Sequence, residues 1–422
     1  MSDEFTSENF GSSDNRLAVL RERSDSIDRR FVCLALSLAF LVPLASGRAD
    51  DSRVPTAKPE TLGVSAERLD RIDAVVNLAI EKGELPGAVV LVVHRGHVVF
   101  RRAYGQRSKQ PVAVPMTADT VFDLASLTKP IATATSIMVL VEQGKLRPSD
   151  LVAKYLPSFA AKGKDKITVE QLLLHTSGLI ADNALADYKD GKKKAIERIC
   201  DLEPQSEPGA RFTYSDVNYI VLGELVDQVG GIPLDEFVQK HIFKPLGVKE
   251  TGFRPPAALK ERIAPTEQRD GHWLVGEVHD PRAHLLGGVA GHAGLFSTAD
   301  DLAVFAQMLL NGGQWRDRRI LAALTVRTMT LPRAIPKGLR TYGWDVQTAF
   351  SSNRGESFKP GSGFGHTGFT GTSLWLDPPS ETAVIFLSNR VHPEGKGNVN
   401  RLRGQVATLA AEALGPLPKA AP

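Results

Sequence analysis

The chain has 422 residues, of which 42% are hydrophobic and 23% charged, with a formal net charge of +3. That is the balance of an ordinary globular protein, long enough for one large enzymatic unit with a subdomain. So small a charge gives no argument for nucleic acid or an anionic membrane surface as partner, and no Walker loop, dinucleotide fingerprint or nucleic-acid motif is present.

Residues 1–30 are polar, lack an amphipathic period and carry no fold signal. Arg29-Arg30 then precede an apolar run over 31–45 and the small residues Ala45-Ser46-Gly47. A charged, then apolar, then small-residue pattern over 31–49 is that of a secretory signal peptide. The run is short for a transmembrane helix, and an uncleaved signal anchor is the alternative. Export to the periplasm or beyond is therefore expected, with no stable membrane partner after cleavage. Of the two cysteines, Cys33 lies in the signal, so Cys200 is left without an internal disulfide partner. Residues 50–60, with Pro55 and Pro59, read as an exposed linker, 61–414 as the folded domain and 415–422 as a tail.

Ser65 is placed to cap a helix over 66–82, with Leu69, Ile72, Val75, Val76 and Ala79 on one face and Gly83 at the stop. Residues 87–93 form a buried strand that Arg95-Gly96 turns into Val98-Val99-Phe100, a hairpin. A helix follows from Ser126, its apolar run spanning 131–141. Thr168 caps a short helix over 169–174, and His175 is expected to order the loop His175-Thr176-Ser177-Gly178-Leu179 by hydrogen bonding. The basic runs 162–166 and 192–194 read as solvated faces. Helices are expected over 220–229 and from Asp235 towards Phe243, then a Gly/His-rich loop over 278–294. Ser297-Thr298 caps a further helix to Leu310. Strands over 365–369, 372–377 and 382–387 and a helix over 399–414 close the chain. Strands at both ends with helices between predict an α+β fold. Its antiparallel sheet is built from both termini, with flanking helices and a mostly helical insertion, and the cleft lies between them.

The chemistry centres on Ser126-Leu127-Thr128-Lys129. A serine and a lysine three apart share one face of a helical turn within side-chain reach. A hydroxyl needs an adjacent base to become a nucleophile. Lysine supplies one only where burial or positive neighbours lower its pKa. His279, His284 and His292 match no zinc spacing and no H-E-x-x-H is present, so neither a metal nor a cofactor is expected. The absence of a G-x-S-x-G elbow argues against an α/β-hydrolase.

Ser126-x-x-Lys129, then Tyr214-Ser215-Asp216, then His366-Thr367-Gly368 on a late strand resemble, in that order, the serine β-lactamase and penicillin-binding-protein superfamily. The resemblance is strongest to class C β-lactamases, related esterases, D-aminopeptidases and penicillin-binding-protein-4B-like carboxypeptidases. Leu174-His175-Thr176-Ser177-Gly178-Leu179 and Gly291-His292-Ala293-Gly294-Leu295-Phe296-Ser297 support it, over about 61–414. It implies Ser126 as nucleophile, Lys129 as base and Tyr214 as general acid/base in an acyl-enzyme mechanism. It also implies the backbone N–H groups of Ser126 and Phe369 as the oxyanion hole, and Asp216, His366, Thr367 and Gly368 on the substrate side.

Two positions depart from the β-lactamase pattern. Asp216 stands where an asparagine is usual, and His366 where a lysine is usual; both weaken recognition of a substrate carboxylate. The expected function is an exported serine hydrolase acting on small-molecule or peptide esters and amides, including D-amino-acid and cell-wall peptides. The alternatives are a D,D-carboxypeptidase or weak β-lactamase, and a catalytically silent peptidoglycan-binding module.

Overall fold

The computed structural model describes residues 53–415. The expectations for residues 1–49, signal peptide included, and for most of the tail lie outside that span. Among the described residues no helix is long and apolar enough to cross a membrane.

The N-terminal helix α1 (Ala66–Glu81) begins where expected, with the Ser65 hydroxyl accepting the Arg68 N–H at 3.2 Å. Strands β1 (Gly87–His94) and β2 (His97–Ser108) form the hairpin, and β3 (Val114–Pro115) lies at its outer edge. The C-terminal half supplies β4 (Arg333–Ile335), β5 (Gly338–Arg340), β6 (Asp345–Gln347), β7 (Phe364–Thr367), β8 (Ser373–Asp377) and β9 (Thr382–Ser388). All join one nine-stranded antiparallel sheet in the order β4-β5-β6-β7-β8-β9-β1-β2-β3. The two ends of the chain meet where β9 pairs with β1, Ala88 opposite Ser388.

Strand β1 is apolar at nearly every position because both of its faces are covered. Ala88, Val90 and Val92 pack with α1 and the C-terminal helix α6 (Asn400–Ala413). Val89, Leu91 and Val93 face the larger core, which contains the helical region and the late helix α5 (Ala299–Leu310). That region holds α2 (Thr135–Glu142), α3 (Val169–Leu173) and α4 (Asp216–Gly230). The hairpins at β4 to β6 have no counterpart in the sequence reading, being three-residue strands without a clear alternation.

Three expectations are corrected. The described part of the 50–60 segment is docked: Val54 is buried, and the Ala57 N–H bonds the Val98 carbonyl at 3.1 Å. Lys164, within a basic run read as solvated, is fully buried and donates to the Ala161 carbonyl at 2.7 Å and to that of Leu202. Helix α4 starts at Asp216, because Ser215 is its N-cap and accepts the Asn218 N–H at 3.2 Å. Its first turn carries Asp216 and Asn218, which break the apolar period that marks the rest of the helix.

Candidate active site

Ser126 lies on a short 3-10 turn, Ala125–Leu127, that runs into a π-helical turn, Lys129–Ala134, and then into α2. Pro130 lacks an N–H, so the regular ladder cannot form there and a wider turn takes its place. Ala125 has a left-handed φ of 47°, an unusual conformation for a residue with a Cβ, immediately before Ser126. The Asp123 carboxylate holds it there by accepting the Ala125 N–H at 2.8 Å.

Lys129 is fully buried, and its Nζ lies 3.0 Å from Ser126 Oγ, 3.1 Å from the His292 carbonyl and 2.6 Å from Asp216 Oδ1. Burial pulls the lysine pKa down, but Asp216 and then Tyr214 outweigh it and hold Lys129 above its ordinary range. This is opposite in direction to the lowering that a lysine base requires. Asp216, expected on the substrate side, instead faces the lysine with its carboxylate.

Tyr214 precedes the N-cap of α4, with Lys129 Nζ 5.1 Å from its ring centre. His175 fixes this stretch, as expected for an ordering residue. Its Nδ1 accepts the Ser215 N–H at 3.1 Å, and its ring lies 4.6 Å from that of Tyr214 and 5.0 Å from that of Tyr219. Since Nδ1 accepts, Nε2 carries the proton, and it is buried without a partner. Burial, then Arg340 and Lys129, hold His175 well below the usual histidine range, so it stays neutral. The His175 loop is tied to α4 through Ser177, which donates to Asn218 Oδ1 at 2.7 Å.

His366 sits on β7 with Nδ1 2.8 Å from the Thr367 carbonyl. A carbonyl only accepts, so Nδ1 is the protonated nitrogen. Burial, then Arg340 and Lys129, hold its pKa well below the usual value, and His366 contributes no charge near neutrality. The turn after β7 folds onto the Ser126 loop: Thr370 donates to the Asp123 carbonyl at 2.7 Å and Thr372 to that of Leu124 at 3.0 Å. Only glycine fits at 368, where a Cβ would lie 2.1 Å from Thr372 Oγ1 and 2.4 Å from the Leu124 oxygen. This docking brings the Phe369 backbone to the Ser126 side of the cleft.

The cleft encloses about 380 Å³, and Ser126, Tyr214, His366, Thr367, Gly368 and Phe369 all line it. Two further lining groups escaped the sequence reading, Arg390 and Arg403. Arg403 projects from the inner face of α6, bonding the Gly368 carbonyl at 2.6 Å and Asn400 Oδ1 at 3.0 Å, while its Nε is buried without a partner. Burial and then Arg390 bring its pKa down to about 9, still a cation at neutral pH. Arg390 lies 4.5 Å over the Phe369 ring and bonds the Gly397 carbonyl at 2.9 Å. Among the described residues neither arginine has a carboxylate within 4.0 Å, and Glu267 acts on Arg390 from farther away. An arginine among the apolar positions Leu402, Val406 and Ala410 of an amphipathic helix is the signal that could have found Arg403.

The three histidines considered for a metal diverge. His279 Nε2 pairs with Glu267 at 3.0 Å, His284 is exposed, and His292 Nε2 meets Asp280 Oδ1 at 2.9 Å. Asp216, Asp280 and His292 each bring one polar atom within 4.8 Å of the others, and the cation next to them is the Lys129 ammonium.

A serine and a buried lysine on one turn, a tyrosine before a helix cap and a His-Thr-Gly strand end, set beside an antiparallel sheet, define a serine acyl-hydrolase of the β-lactamase/transpeptidase fold. The chain belongs to the β-lactamase family, whose profile, described as "Beta-lactamase", matches residues 72–408. A protein of Escherichia coli (strain K12) named "Putative D-alanyl-D-alanine carboxypeptidase" is 36% identical over 375 residues, covering 80% of this chain and 85% of that protein. Among solved structures, a class C β-lactamase superposes with a TM-score of 0.68 at 20% identity, over 83% of this chain and 98% of that one. A family VIII carboxylesterase superposes with a TM-score of 0.65 at 22% identity, over 83% and 99%. At those identities the structures speak for the fold, and the match to the E. coli protein, at higher identity, for the family.

Proposed function

We propose that the protein is a serine peptidase of D,D-carboxypeptidase type, acting through an acyl-enzyme at Ser126 on peptides that end in a free carboxylate. One observation carries this reading: Ser126 opens into a cleft lined by two guanidinium groups, of which the buried one, Arg403, has no acidic partner among the described residues. An uncompensated buried cation is costly, and a substrate carboxylate offsets that cost while positioning the scissile bond. Sequence reasoning argued against carboxylate recognition because a histidine replaces the usual lysine on β7. Arg390 and Arg403, which meet the Phe369 ring and the Gly368 carbonyl, supply charge beside the end of that strand. The name of the E. coli relative agrees with this substrate class.

Ser126 Oγ attacks the acyl carbon, Tyr214 carries the proton to the departing amine, and the Ser126 and Phe369 N–H groups receive the oxyanion. Water then releases the acyl group by the same route. Export ahead of residue 50 would bring the enzyme to such peptides. The test is release of D-alanine from a D-Ala-D-Ala-terminated peptide, compared with the same peptide amidated at its C-terminus. A preference of roughly tenfold or more for the free acid supports the reading, in line with one charge-assisted contact. Equal rates, with faster turnover of p-nitrophenyl esters, would favour an esterase.

A further inference from the structure

Lys129 Nζ donates to the His292 carbonyl at 3.1 Å and forms an ion pair with Asp216 Oδ1 at 2.6 Å, and both groups can only accept. Ser126 Oγ is the neighbour that can either give or accept a proton, 3.0 Å from the same Nζ. A neutral amine would turn its lone pair to the serine; an ammonium would donate a third bond. The choice lies with the surrounding charges.

We propose that Asp216 keeps Lys129 an ammonium ion throughout the working pH range, so that Lys129 serves as a buried positive charge beside Ser126 and does not take the serine proton. The proposal rests on the acyl-enzyme reading above and deepens it. Asp216 and Tyr219 face Lys129 from α4, Tyr214 from the segment before that helix, and Ser126 from its own turn. Across the 286–294 loop, the His292 imidazole is bonded to Asp280, whose negative charge also acts on Lys129. His292 and Lys129 together hold Asp280 below its ordinary range despite its burial, so it too remains an anion. Asp182 adds a more distant carboxylate near Asp216 and Asp280. On the other side His175 and His366 are neutral and leave the balance unchanged. Arg340, the cation that acts on both histidines, is itself paired with Asp345 at 3.0 Å. Asp182 is paired with Arg282 at 3.6 Å and Asp280 with His292, which leaves Asp216 as the carboxylate in direct contact with the lysine.

The proton then follows a closed route. As the Ser126 oxygen bonds the acyl carbon, its proton passes to Tyr214 Oη, and the phenolic proton of Tyr214 passes to the nitrogen whose bond to that carbon breaks. Tyr214 ends as it began, and Lys129 neither gains nor loses a proton. Its charge stabilises the oxygen while that proton is in transit.

Asp216→Asn removes the charge while keeping the shape. Burial, the largest influence on Lys129, then opposes its charge with far less compensation, and the lysine should lose its proton at lower pH. The measurement is the rate at which a serine-directed phosphonate labels Ser126 between about pH 6 and pH 10. The unmodified enzyme and Asp216→Glu should keep their rates to the alkaline end. Asp216→Asn should fall by about tenfold for each pH unit above the new lysine pKa. Faster labelling of Asp216→Asn near neutrality would overturn the proposal, since it would mean that Asp216 had been suppressing a lysine base. An unmoved profile would overturn it too. Should Asp216→Asn fail to fold, the 13Cε resonance of Lys129 in the unmodified enzyme decides: a constant ammonium shift to about pH 10 supports the proposal, and titration below that overturns it. Absence of label at Ser126 in the unmodified enzyme at every pH would instead overturn the acyl-enzyme reading, and this proposal with it.

Discussion

Arg403→Met replaces the buried guanidinium of α6 with an uncharged chain of similar length. Two things are lost: the cation offered to a substrate carboxylate, and the bond of 2.6 Å that holds the Gly368 carbonyl. A charge-assisted contact of this kind is worth about 1.5–3 kcal/mol, or roughly ten- to hundredfold in kcat/KM. The freed Gly368 carbonyl loosens the turn that carries Phe369, and this cost falls on every substrate alike. The ratio of two activities therefore isolates the charge. Release of D-alanine from a D-Ala-D-Ala peptide should drop roughly ten- to hundredfold further than hydrolysis of a p-nitrophenyl ester that has no carboxylate. Arg403→Lys should recover part of the peptide activity, because the ammonium keeps the charge but not the planar fork. Global stability should change little, since replacing a buried unpaired cation by an apolar chain removes a desolvation cost as well as two bonds. An equal fall on both substrates would refute the reasoning and leave Arg403 as a support for the Gly368 turn alone.

Ser126→Ala should abolish turnover and phosphonate labelling while leaving the melting temperature essentially unchanged; a parallel loss of stability would show a structural role. Tyr214→Phe should cut kcat by roughly 10²–10⁴, the range for a general acid/base, and slow the labelling of Ser126 with it. Gly368→Ala should lower both activity and melting temperature, because its Cβ would lie 2.4 Å from the Leu124 oxygen; an unaffected variant would mean that the turn is not closely docked. Stability should fall on acidification: burial, aided by Arg95, lowers the His94 pKa to about 4, and His175, His366 and His392 are lowered as well. Between about pH 6.5 and 4 the unfolded chain takes up protons that native His94 refuses, so the contribution is complete above that window and is lost as pH falls through it. His94→Gln should flatten this slope in thermal melts, and an unchanged slope would show that His94 does not contribute to it.

The fold class and the pairing of Ser126 with Lys129 were open to reading in the sequence because both depend on local spacing. Ser65, Thr168 and Thr298 announce their helices as caps that need only their own next turn. The all-apolar run of β1 shows that both its faces are covered, whatever covers them. Ser126 and Lys129 meet because three residues make about one turn, even though that turn proves to be partly π-helical. The charge on Lys129 was not accessible in this way. It depends on Asp216, 87 positions later, and on the carbonyl of His292 across a separate loop. The same holds for the cations of the cleft. A sequence shows that one lysine is missing from the usual strand, but not that two arginines from the segment after β9 and from the closing helix meet the turn that follows it. Hydrogen-bond periodicity acts over a few residues and is written along the chain; burial and Coulombic interaction act through space, and only the packing of the two termini into one sheet sets the distances on which they depend.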